Sequence, residues 1–224
     1  MNIGFRVLPI INKLSNSFIE SFRNIPTPLI SDNLNRLQGT YSSIKPMHNS
    51  KKILGPALTV NTRAGDNLMV HKAIDIAEKG DVIVVDADGD MSQAIMGEIM
   101  LRLAEKKGIS GFVIDGAIRD SKAFEERDYP CFAKGVTHRG PYKEGPGEIN
   151  ISITVGNMIV NPGDIIVGDE DGIVAVPLES AEEIRNLAKT QQDNERQTFQ
   201  LIEENGVDRS WVDKTLKEKG CEML

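Results

Sequence analysis

Cysteine and histidine are scarce in this chain of 224 residues, which has two of the first and three of the second. Cys131 and Cys221 lie far apart and form no CxxC pair, which argues against a disulfide scaffold or a structural zinc site. Each is expected to be a small buried hydrophobe. His48, His71 and His138 show no HxH or HxxxH spacing, so they read as surface or hydrogen-bonded residues rather than ligands. Long apolar runs are missing too: nothing approaches the roughly 20 residues of a membrane span. The patch over 7–11 is cut short by Asn12 and Lys13, too early for a secretory leader. Positive charge is not in excess; the net charge of −7 argues against a general nucleic-acid binder. The GxSxG elbow, the P-loop and the GxGxxG fingerprint are all absent. What is left is a cytoplasmic globular protein, with neither membrane nor nucleic acid as partner.

The patterning that is present alternates between two periods. Residues 57–60 read as a strand, 67–77 as a helix with Leu68, Ala73, Ile74 and Ile76 on one stripe, and 82–85 as a strand buried on both faces. A helix is predicted over 93–107, stopped by Gly108, then a buried strand over 111–114, a short helix over 120–127 and a short strand over 131–133. This β-α-β-α-β rhythm implies a parallel core. From 151 onward the pattern changes to short strands separated by Gly156-Asn157, Asn161-Pro162-Gly163-Asp164 and Gly168 to Gly172, the signature of antiparallel hairpins. Before the core, Ser15 precedes a helix through Phe18 and Phe22, ended by Pro26 and Pro28, and Ser31-Asp32 can cap a second helix carrying Leu34 and Leu37. After it, 179–204 reads as one long polar helix of the kind that packs on another subunit. The expected division is an N-terminal helical cap over 1–26, an α/β core over 27–178 and a C-terminal helical arm over 179–224.

In an open α/β sheet, ligands bind beyond the carboxyl ends of the strands. Two segments leave strands there: Asp86-Ala87-Asp88-Gly89-Asp90, and Asp115-Gly116-Ala117-Ile118-Arg119-Asp120. Arg119 offers a planar cation suited to a carboxylate, and Asp120 a hard oxygen suited to Mg²⁺ or Mn²⁺. The ordinary reading of an Arg-Asp pair at a helix start is a surface cap, and that of 86–90 is a solvated turn. The latter fails the calcium-loop pattern, since Gly89 falls fourth and Gly97 stands where the bidentate Glu belongs. Lys72 and Lys134 read as ordinary surface lysines. The run 140–148, rich in Gly and Pro, reads as a rigid loop that shapes a pocket wall or a subunit contact.

Several segments together resemble the RraA-like family, which includes the 4-hydroxy-4-methyl-2-oxoglutarate aldolases. They are Ile30-Ser31-Asp32, Gly55-Pro56-Ala57, Gly65-Asp66-Asn67-Leu68, Gly80-Asp81 leading into 82–86, Gly97-Glu98, 115–120, Arg139-Gly140-Pro141, Asn161-Pro162-Gly163-Asp164 and 168–172. The likeness spans about 27–177. It implies an α/β swivelling-type core with parallel strands, antiparallel hairpins and helical arms, in a homotrimer or hexamer. It also implies a 2-oxo acid substrate held by the backbone of Gly97, Glu98, Ile99 and Met100 at a helix N-terminus, a ready anion site. Arg119 then contacts the 2-oxo acid end, Asp120 holds the divalent cation, and a further acid, for which Glu195 is the candidate, comes from a neighbouring subunit. One position departs from the pattern: many aldolase members carry an acid three residues after that Asp, and Ala123 stands here.

The activity implied is a class II retro-aldol cleavage releasing pyruvate, with oxaloacetate decarboxylation in the same site and a water near Glu98 taking the C4 hydroxyl proton. The alternative is a non-catalytic regulator that binds an RNA-degrading endonuclease. Methyl transfer, an older label for some members, fits poorly because no Gly-rich loop follows a first strand.

Overall fold

Period-2 burial separates the two faces of the central strands. Ile83 and Val85 point to one side and Val82 and Val84 to the other, yet all four are buried. A strand covered on both faces needs layers on both sides, and the computed structural model supplies them; it describes residues 2–10, 12–204 and 206–222. The strands are β1 (Phe5–Val7), β2 (Lys45–Pro46), β3 (Ile53–Thr62), β4 (Val82–Asp86), β5 (Ala94–Met96), β6 (Gly111–Ile118), β7 (Cys131–Val136), β8 (Gly147–Ile149), β9 (Ile153–Val155), β10 (Met158–Val160), β11 (Ile165–Asp169) and β12 (Gly172–Val176). The helices are α1 (Asn16–Glu20), α2 (Thr27–Asn33), α3 (Leu68–Ile76), α4 (Glu98–Lys107), α5 (Ser121–Arg127), α6 (Ala181–Glu203) and α7 (Ser210–Glu218), with a 3₁₀ turn at Leu178–Ser180.

Among the described residues, ten strands form one mixed sheet in which β1, β8, β3, β4, β6, β7 and β2 are successive neighbours. The β3-β4-β6-β7 run is parallel throughout, as the alternating pattern requires. β11 pairs with β12 and with the amino half of β3, both antiparallel. β9 and β10 form a separate hairpin. One core lies between the sheet and α3, α4 and α5, with Met69, Ala73, Leu101 and Phe124 meeting Leu58, Ile83 and Phe112. On the opposite face the β9–β10 hairpin covers Val82, Val84 and Val113. Ile19, Phe22 and Ile30 from α1 and α2 pack on Ile165, Val167 and Val174 in a third cluster.

The chain groups into one compact unit running to Ala188 and a second beginning at Lys189. The second holds the end of α6 and all of α7, and exposes Phe199 and Trp211.

Several local expectations need correction. Residues 93–97 are not helical: β5 occupies 94–96, and the helix starts only after Gly97. The three apolar residues Ala94, Ile95 and Met96 are all buried, so they follow strand rather than helix burial. Pro26 and Pro28 start a helix rather than end one, since Pro is tolerated in the first turn where no intrahelical N–H is lost. Ser31 and Asp32 therefore sit inside α2 rather than at the start of a helix. The N-terminal segment contributes a strand, β1, parallel to β8, as well as a helix. Ser15 does cap α1, accepting the Phe18 N–H at 3.3 Å. Cys131 is buried, and burial pushes its thiol pKa up, whereas Cys221 is exposed.

Candidate active site

Register brings the site together. β5 runs parallel to β6 with Met96 opposite Ile118, so the residues leaving the two strands, Gly97 and Arg119-Asp120, emerge side by side. The Arg119 N–H donates to the Met96 carbonyl at 2.9 Å and locks the two exits. Asp120 then takes a left-handed conformation, φ 56° and ψ 37°, which Asp tolerates better than most residues. Its carboxylate caps nothing on α5. It turns back, and Oδ2 accepts the Glu98 N–H at 3.0 Å, in the first turn of α4. Arg119 Nε lies 3.7 Å from the same oxygen.

Gly97 is required for space rather than for backbone freedom, since its φ of −152° suits any residue. A Cβ there would fall 2.4 Å from Asp120 Oδ2 and 2.9 Å from Arg119 Cγ. With the Glu98 N–H taken by Asp120, the N–H groups of Ile99 and Met100 are the remaining first-turn donors without an intrahelical acceptor. Ile99 and Met100 line a small cavity of about 90 Å³ together with Arg119, Asn67, His71 and Lys143. A helix N-terminus alone contributes about 1 kcal/mol to holding an anion. The Arg119 guanidinium adds a charge-assisted donor, so the chemistry of the two together suits a small carboxylate.

The 139–146 loop closes one side. The Ala94 N–H donates to the Arg139 carbonyl at 2.9 Å, and Gln93 Nε2 to the Gly140 carbonyl at 3.2 Å. At the other end Asp66, fully buried, accepts the N–H groups of Glu144 at 2.7 Å and Gly145 at 3.0 Å while also accepting that of Leu68 at 2.9 Å. Pro141 and Lys143 are thereby held at the cavity. This loop is a pocket wall, one of the two roles its sequence left open.

His71 is a cavity residue that spacing motifs could not have found. Its sequence signal is only its place one turn into α3 after Asn67. Burial first, and the Lys143 charge second, lower its pKa, with Asp75 opposing. Both effects favour the neutral ring. Lys134 is not an ordinary surface lysine, because its Nζ lies 2.7 Å from Asp115 Oδ1 on the neighbouring strand. Lys72 is exposed, and His48 is hydrogen-bonded between Cys131 and Lys51.

Glu98 faces away from the Arg119 cavity. Its carboxylate pairs with Arg102, and the two border a second groove with Asp120, Ala123 and Glu126. Asp120 thus stands between cavity and groove, with 47% of its side chain exposed. Among the described residues no three His, Cys, Asp or Glu side chains converge as a closed cage for a metal. A single half-exposed carboxylate fits a Mg²⁺ or Mn²⁺ ion that keeps several waters and completes its shell with substrate oxygens. Glu195 belongs to the second unit, where Gln191 Nε2 donates to it at 3.5 Å. The 86–90 segment is a turn built on its own carboxylates, with Asp88 N–H donating to Asp86 and Ser92 to Asp90.

A family profile described as "RraA-like: Aldolase/RraA" matches residues 27–175. The chain belongs to the RraA-like family. It is 42% identical over 200 residues to a Halalkalibacterium halodurans protein named "Putative 4-hydroxy-4-methyl-2-oxoglutarate aldolase", covering 89% of this chain and 95% of that one. An uncharacterized protein from Pseudomonas syringae superposes with a TM-score of 0.79 at 26% identity, over 88% of this chain and 96% of that one. The RNA-processing inhibitor RraA from Thermus thermophilis superposes with a TM-score of 0.63 at 29% identity, over 68% of this chain and 92% of that one. This RraA-like chain also has no helix among the described residues long and apolar enough to cross a membrane.

Proposed function

We propose that this chain is a divalent-cation-dependent carbon–carbon lyase that releases pyruvate from 2-oxo acids of the 4-hydroxy-4-methyl-2-oxoglutarate type and decarboxylates oxaloacetate in the same site. The observation that carries this reading is the joining of Gly97, Arg119 and Asp120 by the β5–β6 register, which puts an anion-binding helix start, a guanidinium and a cation-binding carboxylate within one cradle. The relative of 42% identity with an aldolase name supports it. The alternative, a regulator that binds an RNA-degrading endonuclease, needs none of these three groups; the Thermus relative is named an RNA-processing inhibitor.

In this reading the Ile99 and Met100 N–H groups take the substrate's carboxylate. Arg119 faces the 2-oxo oxygen and offsets the negative charge that builds there as the carbon–carbon bond breaks. Asp120 holds the cation, Mg²⁺ or Mn²⁺, which when bound supplies Lewis acidity toward the carboxylate and carbonyl oxygens. Glu98, engaged by Arg102, orders the water that receives the C4 hydroxyl proton rather than touching the substrate itself. In a homotrimer or hexamer, Glu195 of a neighbouring copy adds a further acid.

Pyruvate release from 4-hydroxy-4-methyl-2-oxoglutarate and from oxaloacetate, with and without Mg²⁺, tests this directly. Wild type is expected to turn over only with the cation, and Arg119→Ala to lose about 10²-fold or more in kcat. Turnover that survives Arg119→Ala would move the site elsewhere. No turnover with either substrate would favour the regulatory reading.

A further inference from the structure

Charge at the Arg119 cavity is one-sided. Its lining carries two permanent cations, Arg119 and Lys143, and no Asp or Glu. Asp120, just outside the lining, lies 3.7 Å from Arg119 Nε and offsets that charge. Lys143 has no such partner: it forms no ion pair among the described residues, and the acid beside it, Glu144, turns to Arg63 at 3.8 Å. Its charge nevertheless reaches into the cavity, where it is the second cause, after burial, that lowers the His71 pKa. The backbone on either side of Lys143 is fixed. The Tyr142 N–H donates to the Gly65 carbonyl at 2.8 Å, the Tyr142 carbonyl accepts the Asn67 N–H at 3.0 Å, and the Glu144 N–H donates to Asp66 at 2.7 Å. The Lys143 side chain itself is exposed, whereas Met96 and Met100 of the same lining are buried.

A free ammonium on a fixed base, beside a cavity that already holds a guanidinium, calls for a second negative charge. The first is accounted for: the 2-oxo acid end of the substrate takes the Ile99 and Met100 N–H groups and Arg119. A monoanion bound there leaves Lys143 unneutralised, and a divalent cation on Asp120 raises the positive excess further. We propose that Lys143 is a specificity-determining residue that pairs with the distal carboxylate of the substrate, so that the site selects 2-oxo dicarboxylic acids over 2-oxo monocarboxylic ones. This rests on the lyase reading above and adds a residue to it. The C4 substituents diverge, so the distal carboxylate can turn to Lys143 while the hydroxyl keeps its own partner, the water ordered by Glu98. A lysine also suits the task better than a rigid fork, because its compact charge on a flexible stem can follow carboxylates at more than one distance from the 2-oxo group.

The test compares 2-oxoglutarate with 2-oxopentanoate, which differ only in a carboxylate against a methyl group at C5 and have no C4 hydroxyl to react. Their binding is measured by calorimetry with Mg²⁺ present, and as inhibition of pyruvate release from 4-hydroxy-4-methyl-2-oxoglutarate. Wild type is expected to bind 2-oxoglutarate at least about tenfold more tightly, the worth of one hydrogen bond to a charged group. Lys143→Gln should weaken 2-oxoglutarate about tenfold and leave 2-oxopentanoate within about threefold. Lys143→Arg, which keeps the charge, should retain most of the preference. For the hydroxylated substrate, Lys143→Gln should raise KM more than it lowers kcat. Equal weakening of both acids in Lys143→Gln would show that Lys143 serves the 2-oxo end or the loop's shape, and would overturn the proposal. So would a wild type with no preference, or a preference that survives the Gln replacement. Wild type that binds the acids but releases no pyruvate sinks the lyase reading, while a calorimetric preference that Gln removes would still uphold the role of Lys143.

Discussion

A single missing carbon sets the geometry of the Arg119–Asp120 cradle. Gly97 has an ordinary extended backbone, so replacing it by Ala introduces no conformational strain, only a methyl group 2.4 Å from Asp120 Oδ2. Gly97→Ala is therefore expected to fold with a melting temperature within a few degrees of wild type, yet to lose roughly 10²-fold in turnover because Arg119 and Asp120 must move. Equal activity in the two proteins, measured beside their melting curves, would show that the cradle is not used. His71 makes a second prediction at this scale. Its folded pKa lies below its unfolded one, so below about pH 6.5 the unfolded chain binds the extra proton. Stability should fall as pH drops through about 6.5 toward the lower folded pKa, then level off once both states are protonated. His71→Gln should flatten that part of the curve, a small effect because the ring is only partly buried. A thermal-melt series across the acid side of neutrality reads it.

Among the elements, the 139–146 loop depends on one carboxylate. Asp66 accepts three backbone N–H groups, two of them on the loop and one on α3. Asp66→Ala leaves these buried donors unpaired and should cost about 3 kcal/mol or more. Hydrogen exchange at Glu144 and Gly145 should rise in step, and unchanged exchange there would show that the loop is held instead by the Tyr142 N–H bond to the Gly65 carbonyl at 2.8 Å and the Ala94 N–H bond to the Arg139 carbonyl. None of this could be read from composition, because 140–148 carries no periodicity and its partner lies far earlier in the chain. The parallel strands were legible for the opposite reason: a strand covered on both faces must be an unbroken apolar run, and 82–85 and 111–114 are just that. The β5 strand was missed because three buried apolar residues before a helix fit either period, and only the glycine after them marks the break.

For the molecule as a whole, the acid turns at the ends of β4 and β6 were legible as the kind of place where a site forms, since strand ends in a parallel sheet are where ligands collect. Which acids face which cavity was not legible. Glu98 turned toward Arg102, Lys134 toward Asp115, and Asn67 and His71 inward, each choice made by the three-dimensional surroundings rather than by a local motif. The Met96–Ile118 pairing also has an evolutionary consequence. Ala94 to Met96 already spans one residue more than the Ala117–Ile118 step it faces, so this bulged span acts as a ruler, and a further insertion or deletion would carry Gly97 off the Arg119 exit. The turn over 88–93 is tied down as well, with the Gly89 N–H donating to the Asp115 carbonyl at 3.1 Å and the Ala117 N–H to the Asp90 carbonyl at 3.2 Å. Lineages of this fold should therefore keep both the turn and the ruler fixed in length, even where the ruler's apolar residues are exchanged.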